Sequence, residues 1–418
     1  MTSRERIKKA LDHKEPDRIP IDFGSVTVTG MHYSCVASLR EYYGLEKHPI
    51  KICEPYQMLG LIEEDLKSAM GLDVEGVLSR TDMFGVKGIG WREWRQDNGD
   101  VVLVADNLNI TTDAAGNHYV YPCGDTSTAP CAKMPKNGFY FDAVSRQEEF
   151  DDIEDLDPND NLEEFASVSE TTLDEFAEDI DAAVATGRAV SVSFGGTALG
   201  DIALVPGLNL KNPKGVRDVA EWYMATATAP EYIKYIFDKQ TDIALENLTR
   251  LYKRVGDKID VLFICGTDFG TQISTFCSAN TYRNLYLPYY KTVNDWIHSN
   301  TGWKTFKHSC GAVEPFIPMF IESGVDILNP VQCSAAGMDP RILKEKYGRD
   351  IVFWGGGIDT QKILPFGTPD EVRAQVKERC EIFGKDGGFV FNAIHNVQAG
   401  TPIENIVAML DAIKDCNK

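Results

Sequence analysis

The chain has little of what marks a secreted, membrane-bound or nucleic-acid-binding protein. Its ten cysteines, spread over 418 residues, include no Cys-x-x-Cys pair and no zinc-ribbon spacing. That argues against a disulfide scaffold, a structural zinc knuckle or a redox dithiol. No stretch approaches the roughly 18 consecutive apolar residues of a membrane span. The opening Met1-Thr-Ser-Arg-Glu-Arg-Ile-Lys-Lys9 is polar with no apolar core behind it, so it does not read as a signal peptide. A cytoplasmic protein without membrane attachment is expected. Clusters of Lys and Arg are also missing: 42 basic residues face 63 acidic ones, a formal net charge of −21. Such a field repels nucleic acid and anionic membranes, and a polyanionic substrate would need a local basic pocket that the sequence does not display. No Gly-x-Gly-x-x-Gly or Walker loop stands in a nucleotide-binding context, and no lysine sits in an obvious Schiff-base position at a strand end.

What is present is a long alternation of short apolar strands and amphipathic helices. The first helix is signed by Thr2 and Glu5 at capping-box spacing, with Ile7, Ala10 and Leu11 on one face. A proline-bounded extended segment, residues 16–23, and helical stretches at 35–43 and 56–70 follow. Residues 86–145 have a different texture: Trp91-Arg-Glu-Trp94, Val101-Val-Leu-Val-Ala105 and His118-Tyr-Val-Tyr121 are β-like runs separated by turn residues. They read as an antiparallel insertion, either a lid over the site or a peripheral subdomain. Residues 147–185 are strongly acidic and read as a solvated helical connector. From residue 188 onward strands are expected at 189–194, 259–265, 305–308, 325–329, 350–354 and 388–392. Helices come between them, as at 280–300 and 369–382. Thr368-Pro-Asp-Glu371 and Thr401-Pro-Ile-Glu404 each place Thr at N-cap, Pro at N1 and Glu at N3.

Parallel strands joined by crossover helices fit either a doubly wound sheet or a barrel. Polar residues end nearly every strand: Cys265-Gly-Thr-Asp268, His308-Ser-Cys310, Asn329-Pro-Val-Gln-Cys333, Gly355-Gly-Gly-Ile-Asp359 and Asn392-Ala-Ile-His395. In a barrel all of these converge on one face, where barrel active sites lie. The expectation is a single (β/α)8 TIM-type barrel over residues 1–418, carrying the insertion.

His308-Ser-Cys310 is the sharpest chemical signal. Residues i and i+2 of an extended segment point the same way, and imidazole nitrogen and thiolate sulfur are preferred zinc ligands. A third ligand is needed, and Cys333, after the next strand, and His395, after the last, are both candidates. Each also has a plain structural reading, Cys333 as a small buried residue and His395 as a hydrogen-bonded strand-end histidine. His308, Cys310, Asp268 and His395 are the catalytic candidates. Gln272, Asn329, Gln332, Asp359 and Asn392 stand at the same strand ends and are assigned to substrate binding, although a βα-loop cap is the alternative for each carboxylate.

With these residues in hand, the chain resembles the uroporphyrinogen decarboxylase superfamily over nearly its whole length. The resemblance rests on Ser3-Arg-Glu-Arg…Ala10-Leu…His13-Lys-Glu-Pro-Asp-Arg-Ile-Pro20, His308-Ser-Cys-Gly311, Ser323-Gly-Val-Asp326 and Asn392-Ala-Ile-His395…Thr401-Pro-Ile-Glu-Asn405. It implies a TIM-type barrel. The family's porphyrin-binding segment is arginine-rich, whereas Ile19-Pro-Ile-Asp-Phe-Gly24 holds no arginine, and a substrate with eight carboxylates needs such cations. The His-x-Cys pair instead resembles the zinc methyltransferase branch, which includes methylcobamide:thiol methyltransferases and the methyltransferases of O-demethylation. There the pair is completed by a later Cys near the last strand, and His395 occupies that position here. The resemblance implies Zn2+, a small methyl donor or acceptor, and a corrinoid carried by a separate partner protein. The Asp-x-His-x-x-Gly signature of corrinoid carriers is absent from this chain. A porphyrinogen-type decarboxylase is the alternative activity, and a homodimer is compatible with the reading.

Overall fold

In the computed structural model, which describes residues 1–194 and 198–417, seven strands form one parallel sheet. They are Val74–Val77, Ala189–Ser193, Val261–Cys265, Lys304–His308, Ile327–Asn329, Val352–Trp354 and Phe389–Val390, and they neighbour each other in chain order. The ends of this sheet meet across the extended segment after Pro16. Ile21 bridges Phe391 in parallel. Asp22 N–H donates to Phe391 O at 2.9 Å and Phe391 N–H to Pro20 O at 2.8 Å, while Asp73 N–H donates to Ile21 O at 2.9 Å. Residues 20–22 thus lie between the first and last strands of the sheet as an eighth staff, and the sheet closes into a barrel.

The interior is packed, not hollow. Val74, Ala189, Val261, Phe306, Ile327, Val352, Trp354 and Val390 from successive strands form one buried cluster, which Ile7, Ala10 and Leu11 of the helix Ser3–Leu11 join. That helix, held by the Thr2/Glu5 capping box, plugs the N-terminal end of the barrel. Asp73, Asp260 and Asp326 each immediately precede a strand there. Asp73 takes Arg6 at 2.6 Å and Arg18 at 2.8 Å, Asp260 takes Arg4, and Asp326 takes Lys304. The ion pairs gather at the closed end, which leaves the C-terminal end for chemistry.

Most expected elements are present within a residue or two, including the capping box at Thr368 and Glu371. Four differ. The stretch 56–70 is helical only at Glu64–Met70, and a β-turn and the strand Leu59–Gly60 precede it. Thr401 does not cap its helix: Pro402 is the N-cap of Ile403–Cys416, and Thr401 Oγ1 instead donates to Gln398 O at 2.8 Å. The acidic connector is α-helical only at Glu170–Ala185, with short 3-10 turns at Ile153–Asp155 and Pro158–Leu162 before it. Its first half is not merely solvated, because Asn161 is buried and Glu164 pairs at 2.7 Å with the buried Arg217. Finally, residues 279–300 contain a π-helical turn at Tyr282–Tyr286 between two α-helical pieces.

The inserted strands fall in two sheets. Trp91–Arg95 and Val101–Ala105 form an antiparallel hairpin whose second strand also pairs in parallel with Ile50–Glu54. Ile110–Thr112, His118–Val120, Ala132–Met134 and Asp142–Ala143 form an antiparallel sheet of their own. No helix among the described residues is long and apolar enough to cross a membrane.

Candidate metal centre

On the strand Lys304–His308 the side chains alternate. Phe306 and His308 face inward, Phe306 into the barrel core. Lys307 faces the helices, with its Nζ 2.9 Å from Tyr290 Oη and 4.8 Å from the centre of the Phe269 ring. His308, the last residue of its strand, pairs in register with Asn329, the last residue of the next. Asn329 Nδ2 donates to Trp354 O at 2.9 Å, which fixes the amide so that its Oδ1 faces His308 Nδ1 at 2.7 Å. The imidazole proton therefore sits on Nδ1, and the lone pair of Nε2 points into the barrel mouth, as a metal-binding histidine requires. Cys310 Sγ lies 3.3 Å from that nitrogen.

Cys310 is held through its backbone. Its N–H donates to Asp268 Oδ1 at 2.6 Å, and the next N–H, of Gly311, donates to Gln332 Oε1 at 2.7 Å. Ser309 N–H donates to Asn329 O at 2.7 Å. His395 completes the group: His308, Cys310 and His395 offer donor atoms that all lie within 4.8 Å of one another, and the two rings meet edge to face, 5.3 Å between centres. His395 Nδ1 accepts the Asn396 N–H at 2.8 Å. In its neutral form this ring carries its proton on Nε2, so it presents a donor where His308 presents an acceptor.

Burial dominates the electrostatics. It pushes His308 down to about 4 against the Asn329 bond, with Lys307 adding to the effect. His395 also falls to about 4, through burial and the neighbouring His308. Burial and then Asp268 raise the Cys310 thiol well above its ordinary value. Asp268 itself is raised by burial, and so is Asp201, to about 6. Both histidines are thus neutral; His308 offers its Nε2 lone pair, whereas the Nδ1 lone pair of His395 is engaged by the Asn396 N–H. Burial is the first cause that raises the thiol and the two carboxylates, and a bound dication would offset it by stabilising their charged forms. A nitrogen–sulfur–nitrogen donor set of this compactness fits zinc with a coordination position left for substrate.

The other sequence candidates are placed as follows. Cys333 does not join the three-residue group; its thiol is pushed up to about 12 by burial. Asn329 and Gln332 act on the centre indirectly, by orienting His308 and by holding Gly311. Asn392 lies wholly buried, its Nδ2 donating to Asp22 O at 2.8 Å and Thr29 O at 3.2 Å, which anchors the loop after the first staff. Asp359 Oδ1 accepts the N–H groups of Gln361 and Lys362, the role of a loop cap. Gln272 is exposed, and its backbone O accepts from Ala336. Asp201 and Lys307, whose charges act on Asp268 and on each other, stand in no recognisable sequence motif.

The Asn329 bond yields a direct test. Asn329→Ala frees the His308 ring and its tautomer, and metal affinity is expected to fall by roughly 10–100-fold. Competition with a chromogenic chelator measures it; an unchanged affinity would show that the bond does not set the ring.

Comparison with known proteins agrees with this architecture. The family described as uroporphyrinogen decarboxylase (URO-D) matches residues 141–416. Among solved structures, a methyltransferase from Methanosarcina mazei aligns over 99% of this chain and 99% of its own, with 14% sequence identity and a TM-score of 0.56; that likeness is one of fold. A beta-1,4-mannanase overlaps 57% of this chain and 78% of its own, with 11% identity and a TM-score of 0.27. An endo-glycoceramidase II from Rhodococcus sp. overlaps 56% of this chain and 62% of its own, with 10% identity and a TM-score of 0.30. No curated protein matches the sequence.

Proposed function

The chain belongs to the uroporphyrinogen decarboxylase family, and from that membership and its donor cluster we propose that it is a zinc-dependent methyltransferase. It would move a methyl group between a small donor, such as a methoxylated compound, and the corrinoid of a separate partner protein. The observation that carries this reading is His308, held as the Nδ1–H tautomer by Asn329 with its Nε2 lone pair beside Cys310 Sγ. The fold of the Methanosarcina mazei methyltransferase supports the reading at the level of architecture.

Zinc bound there would act as a Lewis acid on the heteroatom that carries or receives the methyl group. The rest of the chemistry belongs to the chain. His308 and Cys310 present the donor atoms. Asp268 and Gln332 hold the Cys310–Gly311 backbone in place beside His308. His395, with a proton on Nε2, is suited to hydrogen-bond to a substrate oxygen at the same mouth. Cys333 is outside the donor group, so His395 is the third candidate ligand as well, and its ring must give up the Asn396 bond to serve that way.

Decarboxylation of a porphyrinogen has weaker support. Arg6 and Arg18, which precede the arginine-free Ile19–Gly24 segment, tie Asp73 at the opposite end of the barrel. A polycarboxylate at the mouth would find neither.

The test combines metal analysis with turnover. About one zinc per chain is expected, with methyl transfer from methoxylated or thiol substrates to or from a reduced corrinoid followed by absorbance. Chelation should abolish the transfer and zinc should restore it. Full activity in a zinc-free preparation would end the proposal.

A further inference from the structure

A second cavity, of about 520 Å³, lies beside the metal centre and shares none of its donor residues. One wall is the barrel mouth at Gly24, Val26 and Gly76; the other is the inserted hairpin at Trp91, Val104 and Ala105. Its size suits a small molecule, and its lining is mostly apolar. Three carboxylates, Glu54, Asp82 and Asp179, also line it.

The charges sort the ligands. Glu54 is buried, and its two oxygens accept the N–H groups of Tyr56 at 2.9 Å and Gln57 at 2.8 Å. Asp82 Oδ1 accepts those of Phe84 and Val86, each at 2.9 Å. Among the described residues neither carboxylate has a cationic partner. Burial raises both, Glu54 to about 7 with Asp82 adding to the effect, and Asp82 to about 6. The cations on the same lining are already taken. Lys67 is bound to Glu75, and Arg80 is held by Asp179 at 2.7 Å and by Glu178. An anionic ligand therefore finds no free positive group, whereas a positive ligand finds two uncompensated carboxylates in an apolar surround. Trp91 adds an indole face, and the net charge of −21 draws cations towards the protein. A bare metal ion fits less well, because both carboxylates already serve backbone N–H groups and the walls are apolar.

We propose that this cavity binds an organic cation, an ammonium group on a compact apolar or aromatic body. The site is independent of the methyl-transfer reading. It shares a wall with the metal centre, however: Asn396, next to His395, donates to Thr27 O at 2.9 Å and accepts from Gly30 N–H at 2.5 Å, and both Thr27 and Gly30 line the cavity.

The experiment is titration calorimetry on the full chain with three matched probes: benzyltrimethylammonium, benzyl alcohol and benzoate. The cation should bind at least about tenfold more tightly than either of the others. Glu54→Gln with Asp82→Asn should remove that preference and leave benzyl alcohol unchanged. If the amide pair does not fold, Trp91→Leu, at a half-exposed position, should weaken the cation about threefold or more without moving benzyl alcohol. Ala105→Phe, which fills the cavity, should abolish binding of all three. Benzoate binding as tightly as the cation, a cation preference that survives the amide pair, or no probe binding to the folded protein would each overturn the proposal.

Discussion

Cys310→Ala is expected to leave a folded protein that neither retains zinc nor transfers methyl groups. The loop around Cys310 is held by main-chain donors, Cys310 N–H to Asp268 and Gly311 N–H to Gln332. Losing the thiol therefore removes no contact that positions the backbone. It does remove the one sulfur from a three-member donor set. Two neutral imidazoles, one of which spends its Nδ1 lone pair on a backbone N–H, are a weak site for zinc. Activity should fall by about a thousandfold or more, with the melting temperature of the metal-free form unchanged. Cys333→Ala is the matched control: its thiol is outside the donor group, so zinc content and turnover should persist. Metal analysis of both variants decides the matter. A Cys310→Ala protein that keeps its zinc, or a Cys333→Ala protein that loses it, would mean that the ligand set is wrong.

Trp354→Ala should be the most damaging substitution in the barrel core. The side chain is fully buried, meets Phe306 edge to face at 5.5 Å, and donates from Nε1 to Asp22 Oδ2 at 3.0 Å. Truncation leaves a large cavity in a packed interior, at a cost of about 3–5 kcal/mol, measurable by denaturant unfolding. Trp354→Phe separates packing from the hydrogen bond. Asp22 is fully buried, and burial raises it to about 6, while Ser25 and Trp354 work in the opposite direction. A carboxyl raised in the folded state favours folding most when protonated, and that contribution is lost as pH rises through its folded value. Without the indole N–H the carboxylate is less well supported and its folded value climbs further. The penalty of Trp354→Phe relative to the parent should therefore be larger at pH 8 than at pH 5. A penalty that does not change with pH would show that Trp354 acts on Asp22 only as packing.

The barrel was legible because its two signals are local. Apolar runs such as Val261–Cys265 mark strands, and the polar residues that end them mark one common face. Caps were legible where side chain and backbone lie within one turn, as at Thr2 and Thr368. The same pattern at Thr401 misled, because Gln398 O competes for its hydroxyl and the helix starts after Pro402. The closing staff at residues 20–22 was legible only as part of a proline-bounded extended segment, with nothing local to show its pairing. Its pairing comes wholly from Phe391 and Asp73, residues far away in sequence.

The sequence alone determined that His308 and Cys310 face one way at the end of a strand, since two-residue periodicity in extended backbone requires it. It could not choose between Cys333 and His395. That choice depends on the path of each loop after its strand, and loop paths are set by contacts between distant segments. Tertiary structure also placed Asn329 Oδ1 against His308 Nδ1 and Gln332 Oε1 against the Gly311 N–H. A side-chain amide can bind substrate or orient a neighbour, and only the neighbour's position tells which.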